Sequence, residues 1–126
     1  MYRCIKETHF SASHHLRNYN GKCERVHGHN WRVQVVATGR HLGTGGMLID
    51  FGELKAAMKT VLERLDHNDL NAISPFDTIE PSAENIARYT CEEVGKLVNN
   101  DLATITEVHV WETVSSCAVY TLEDTP

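Results

Sequence analysis

No apolar run in this chain approaches the ~20 residues that a bilayer-spanning helix needs, which excludes a helical membrane protein. The N-terminal MYRCIKETHF also lacks the apolar stretch of an export signal, so a cytoplasmic location is the expectation. An excess of basic charge is missing too. Twelve Lys and Arg face seventeen Asp and Glu, for a net charge of −5, and such a balance cannot neutralise a phosphate backbone across a broad surface. General nucleic-acid binding is excluded, and any anionic substrate must meet a local basic cluster. No CxxC pair occurs: Cys4, Cys23, Cys91 and Cys117 lie far apart, which fits neither a disulfide scaffold nor a zinc ribbon. Cys4, Cys91 and Cys117 read as small buried hydrophobes. HExxH, zinc-finger spacing and the deaminase pattern of HxE with a later PCxxC are absent, and the GTGG at 43–46 lacks the Gly-Lys-Ser/Thr ending of a phosphate-binding loop. Repeats, low-complexity tracts and linkers are missing as well, so the 126 residues predict one domain, 1–126, with one core.

What is present is periodicity. Residues 2 to 15 read as a strand, and in residues 27 to 38 the side chains of His29, Trp31, Val33, Val35 and Ala37 share one face while Asn30, Arg32, Gln34 and Thr38 share the other. Asp50 and Glu53 form a capping pair for a helix reaching Leu65, with Leu54, Ala57, Met58, Val61, Leu62 and Leu65 on one stripe. A second helix, 82 to 98, starts at the cap Ser82 and carries Ile86, Ala87, Val94, Leu97 and Val98 inward. Strands at 104–114 and 117–122 complete the order ββααββ. That order predicts an α+β fold, a four-stranded antiparallel sheet with two helices on one face. The other face stays bare and the edges open, so a closed homo-oligomer with sheets continuing across subunits is expected.

The chemistry concentrates in KCERVHGHN, residues 22–30. On a strand, His27 and His29 point to the same face, and His14, sharing a face with Phe10 and Ala12 on the first strand, meets them if the strands pair. Three neutral imidazoles with an open fourth position are the arrangement of a catalytic zinc site. Cys23 is either a fourth ligand, which would close the site, or a thiol beside Lys22 and Arg25 that works as base or nucleophile. Asp66 and His67, at the end of the first helix, form either a carboxylate-oriented imidazole for a proton relay or the polar end of a helix. Glu112 falls on the face of Val108, Val110 and Val114, where an unpaired carboxylate is costly; it meets a planar ligand edge with two N–H donors, or is simply exposed near the strand end or held by an internal hydrogen bond.

Six ordered motifs, FSASHHL (10–16), CERVHGHN (23–30), IDFGELK (49–55), LDHNDLN (65–71), PSAEN (81–85) and WET (111–113), resemble the 6-pyruvoyl-tetrahydropterin synthase family over nearly the whole chain. The three residues between Cys23 and HGH, together with IDFGELK, are similar to its short bacterial branch, the 6-carboxy-5,6,7,8-tetrahydropterin synthases of queuosine biosynthesis. The resemblance implies the tunnelling fold, with trimeric barrels stacked into hexamers and active sites between subunits. It implies Zn2+ on His14, His27 and His29, Cys23 as catalytic base, Asp66 and His67 as its proton relay, and Glu112 as anchor of the pterin ring. Ser82 and Glu84 are implied as further substrate contacts, with Ala83 where the family carries a second hydroxyl. The implied substrate is 7,8-dihydroneopterin triphosphate. In the carboxy branch triphosphate and acetaldehyde leave; in the pyruvoyl branch only triphosphate leaves. His15, Arg17, Lys22 and Arg25 are the candidates for meeting the phosphates, and Glu24 is similar to a glutamate with which some relatives cleave dihydroneopterin for folate synthesis. The rival classes are a non-catalytic zinc- or pterin-binding oligomer and a thiol hydrolase built on the Cys-His-Asp set.

Overall fold

The computed structural model describes residues 1–123. Along the chain run β1 (Tyr2–His14), β2 (His27–Gly39), α1 (Phe51–Glu63), β3 (Asn68–Asp69), α2 (Ala83–Val98), β4 (Thr104–Thr113) and β5 (Ser116–Thr121). The four long strands pair antiparallel as expected, but the sheet has five strands, in the order β3-β1-β2-β4-β5, and β3 pairs parallel to β1 through Ala12–Asn68 and Ser13–Asp69. The expected four-stranded, purely antiparallel sheet is corrected on that point. Two residues carry no alternation to read, and β3 exists because the chain leaving α1 is tied to β1: the His67 N–H donates to the Ser11 carbonyl at 2.5 Å and the Ser11 N–H donates to Asp66 Oδ1 at 2.9 Å.

Alternation decides which face is covered. Phe10, Ala12, Trp31, Val33, Val35, Val108 and Val110 are buried beneath α1 and α2 in a single core. The opposite face has no helix on it and carries ion pairs, Arg3 with Glu107 at 3.1 Å and Arg32 with Glu7 at 2.9 Å, the latter arginine lying 4.1 Å over the Trp111 ring. The helices form where the stripes predict, with details that differ. Asp50 caps α1 by accepting the Gly52 N–H at 2.6 Å, so it acts without Glu53 as reciprocal partner. Helix α1 ends at Glu63, leaving Leu65 fully buried in the turn that follows. On α2, Ser82 accepts the Asn85 N–H at 3.2 Å, and Thr90, Cys91 and Gly95 join the buried stripe, whereas Leu97 points outward. Of the cysteines expected inside, Cys91 is buried, Cys4 half-buried and Cys117 exposed on β5.

Antiparallel order brings the end of β1, the start of β2 and the end of β4 to one end of the sheet. At that end the β4–β5 register slips between Trp111 and Thr113, placing Glu112 in a bulge, the local device that re-aims a side chain. Val114 lies past the bulge and is almost fully exposed, so the apolar face expected around Glu112 stops at Val110.

Candidate metal centre and active site

The histidine pattern resolves into a cluster at this end of the sheet. His14 stands directly opposite His27, and His29 opposite Ala12, so the period of two turns all three rings toward the covered face. Ring centroids lie 4.7 Å apart for His14–His27, 5.1 Å for His14–His29 and 4.8 Å for His27–His29. Beneath them Trp31 is fully buried, meeting His14 and His29 edge-on at 4.8 and 5.1 Å, with its indole N–H donating to the Ala12 carbonyl at 3.3 Å. This apolar floor leaves the imidazoles one open direction.

Two of the rings are oriented by backbone. His14 Nδ1 lies 2.7 Å from the Pro81 carbonyl and His27 Nδ1 lies 2.7 Å from the Arg25 carbonyl. A carbonyl only accepts, so in each case Nδ1 carries the proton and the neutral ring presents the lone pair of Nε2, the orientation found where histidines bind a metal. The Nε2 atoms of His14 and His29 are buried without a hydrogen bond. Facing them is Glu112 Oε1, 3.0 Å from His14 Nε2 and 3.2 Å from His29 Nε2. The lone pair of His14 Nε2 thus faces a carboxylate oxygen, a contact that a proton or a cation between them relieves. Burial pushes the His29 imidazole below the usual histidine range against the opposing pull of Glu112, which favours the neutral ligand form. Four donor atoms, one each from His14, His27, His29 and Glu112, lie within 4.8 Å of one another, a set that could hold a metal ion. The His14–His27–His29 expectation is therefore assembled by the fold, with Glu112 added to it.

The remaining expected residues are not among its donors. Asn20 and Gly21, at φ 52° and 79°, make the tight tip of a small hairpin in which Tyr19 and Lys22 exchange backbone hydrogen bonds. Just past the tip, Cys23 is exposed and its thiol donates to the Arg17 carbonyl at 3.1 Å. Glu24 fastens the loop: its carboxylate accepts the Leu16 N–H at 3.1 Å and its own N–H donates to the Leu16 carbonyl at 2.9 Å. Asp66 and His67 do form a pair, Oδ2 to Nδ1 at 3.0 Å, at the β1 edge of the sheet. The Ser11 N–H chiefly, and then His67, hold the Asp66 carboxyl below the usual carboxylate range. Ser82 and Glu84 begin α2 directly after Pro81, whose carbonyl orients His14; Glu84 is exposed and without a partner among the described residues. Arg17 is not free for phosphate. Its guanidinium pairs with Glu80 at 3.3 Å and donates to the carbonyls of Ile79, Asn71 and Phe76, pinning the loop after β1 to residues 71–80. The carbonyl of Pro81 is the part that sequence reasoning missed, since a backbone acceptor leaves no side-chain signal.

The fold is a two-layer α+β domain that brings three imidazoles and a carboxylate together at one end of its sheet, a set that could hold a metal ion. Residues 3–123 match the model of the family described as 6-pyruvoyl tetrahydropterin synthase, and the chain belongs to that family. It is 37% identical to the 6-carboxy-5,6,7,8-tetrahydropterin synthase of Synechocystis, covering 95% of this chain and 93% of that protein. Similarity to the 6-carboxy-5,6,7,8-tetrahydropterin synthase of Haemophilus influenzae is 30% identity over 95% of this chain and 99% of that one. Among solved structures, the 6-pyruvoyl tetrahydropterin synthase of Caenorhabditis elegans superposes with a TM-score of 0.82 at 26% identity, over 97% of this chain and 96% of the other.

Proposed function

We propose that the protein is a zinc-dependent 6-carboxy-5,6,7,8-tetrahydropterin synthase, converting 7,8-dihydroneopterin triphosphate with release of acetaldehyde and triphosphate, as in queuosine biosynthesis. The observation that carries the reading is the convergence of His14, His27 and His29 on Glu112, with two buried Nε2 atoms lacking a hydrogen bond. The names of the similar Synechocystis and Haemophilus proteins support the carboxy branch.

A zinc ion on these ligands supplies Lewis acidity to the hydroxyls of the substrate side chain. Cys23, exposed beside the cluster's strand, removes the proton from the carbon next to the ring. His67, held by Asp66, accepts and returns protons. Glu112 joins the two halves of the site: Oε1 faces the imidazoles, and Oε2 is left to accept from the N–H edge of the pterin, with the Ser82 hydroxyl and the unpartnered Glu84 at the start of α2 completing the contact. Because the Asp66–His67 pair sits on the β1 edge, which β3 covers only at Ala12 and Ser13, pairing of that edge with the outer edge of β5 from another copy would bring one subunit's relay to another's metal. This supports a ring of subunits, with the hexamer of two trimers as the assembly.

The test is incubation of the purified protein with dihydroneopterin triphosphate. Acetaldehyde with triphosphate is the expected outcome. A 6-pyruvoyl product would replace it with the second reading, favoured by the close superposition on the C. elegans enzyme. No product at one zinc per chain would leave a non-catalytic pterin-binding oligomer. Replacement of His27 by Ala is expected to abolish metal retention, read by elemental analysis.

A further inference from the structure

Between β1 and α1, away from the imidazoles, lies a cavity of about 550 Å³ that no role described so far uses. Its floor is apolar, formed by Phe10, Met58 and Leu62, all buried. Around the floor stand Lys6 and Thr8 from β1 and Lys55 and Lys59 from α1, the last two one helical turn apart on one face. In a chain of net charge −5, three ammonium groups converge here, and among the described residues none has a carboxylate within ion-pair distance. The acids on the rim do not cancel them. Glu7 is held by Arg32 at 2.9 Å and Gln34 at 2.7 Å, and Asp66 by the Ser11 N–H and His67, which leaves Glu63 against three lysines.

We infer that this cavity binds the polyphosphate tail of the substrate, with Lys6, Lys55 and Lys59 as its cationic contacts and Thr8 as a hydroxyl donor. The inference rests on the proposed function for the identity of the anion, and with Arg17 tied to Glu80 it adds a second source of positive charge to Lys22 and Arg25 in the loop before β2. The wall that the cavity shares with the relay is Asp66, so phosphate held here sets the ester's carbon chain beside Asp66–His67. When triphosphate departs, the bond to the ester oxygen breaks with its electron pair going to the leaving group. Fixed ammonium groups stabilise that developing charge.

The test is calorimetric titration of the zinc-loaded full-length protein with inorganic tripolyphosphate, comparing wild type with Lys55→Ala, Lys59→Ala and, as a matched loss of charge, Lys96→Ala. Lys55 and Lys59 are exposed on α1 and alanine is the best helix former, so these variants fold. Each is expected to weaken tripolyphosphate binding roughly tenfold, as for loss of one charge-assisted hydrogen bond, and Lys→Arg at either position to restore it. Lys96, paired with Glu93 on α2, should leave affinity unchanged. Equal affinities in wild type, Lys55→Ala and Lys59→Ala, or no binding at all, overturn the inference. Turnover of dihydroneopterin triphosphate with a KM unmoved by the lysine variants would sink the phosphate site and leave the proposed function standing. Lysine-dependent tripolyphosphate binding without turnover would do the reverse.

Discussion

Replacing Glu112 by Gln separates a metal centre from a merely polar pocket, because the two predict opposite signs for stability. Without metal, Glu112 Oε1 lies 3.0 Å from His14 Nε2 and 3.2 Å from His29 Nε2, and because the His14 Nδ1–H donates to the Pro81 carbonyl, the His14 Nε2 is an acceptor. Acceptor meets acceptor. A glutamine amide turned toward the rings donates where the carboxylate could not, and one neutral hydrogen bond contributes about 1 kcal/mol. For a domain of this size that corresponds to a Tm higher by roughly 3–5 °C in the presence of chelator. With zinc the sign reverses. The amide is a poorer, uncharged donor, and loss of the carboxylate is expected to weaken zinc on the order of a hundredfold, or about 2.7 kcal/mol. The assay is a thermal melt of wild type and Glu112→Gln in chelator and in saturating zinc, with zinc affinity from competition against a chromophoric chelator. If the variant is less stable in chelator and binds zinc as tightly as wild type, Glu112 is no part of a metal site and its carboxylate serves the pterin alone.

Cys23→Ala should retain one zinc per chain while losing turnover, measured by elemental analysis beside acetaldehyde release; loss of the metal would make the thiol a ligand. Asp66→Asn bears on acid stability. The folded carboxyl is held below its unfolded value of about 4, so its contribution is complete above that pH and is lost as pH falls through the lower folded value. Urea melts of wild type and variant are therefore expected to differ at pH 7, by under ~1 kcal/mol for so exposed a group, and to converge as the pH falls through the lower folded value; a constant gap as the pH falls would refute the assignment.

How much of this was legible beforehand follows from what leaves a trace in sequence. His14, His27 and His29 could be placed on one face because strand period fixes side-chain direction and the strands pair where alternation is strongest. The core face of β2 and the caps Asp50 and Ser82 were legible for the same local reasons. Leu97 was misplaced because the stripe of α2 drifts around the helix, and burial favours Gly95 and Thr90 where the helix crosses the sheet. Nothing periodic marks β3, whose two residues pair only because Asp66 and His67 are tied to Ser11. Glu112 could be seen to need a partner, but which one depends on the antiparallel pairing that sets the end of β4 beside the start of β2, a long-range register that no local pattern encodes. Arg17 looked like a free cation in the sequence, and three carbonyls and Glu80 consume it.

The same contrast explains how an acidic chain can handle an anionic substrate. Of the cations near the imidazoles, Arg17 is neutralised by Glu80, whereas Lys22 and Arg25 flank Cys23 without an ion pair among the described residues. Lysines Lys6, Lys55 and Lys59 stand instead at the β1–α1 cavity, separated from the imidazoles and joined to the reaction through Asp66. On the proposed reading the substrate is gripped at both ends, and shortening its phosphate tail should raise KM through the lysines and leave zinc affinity untouched.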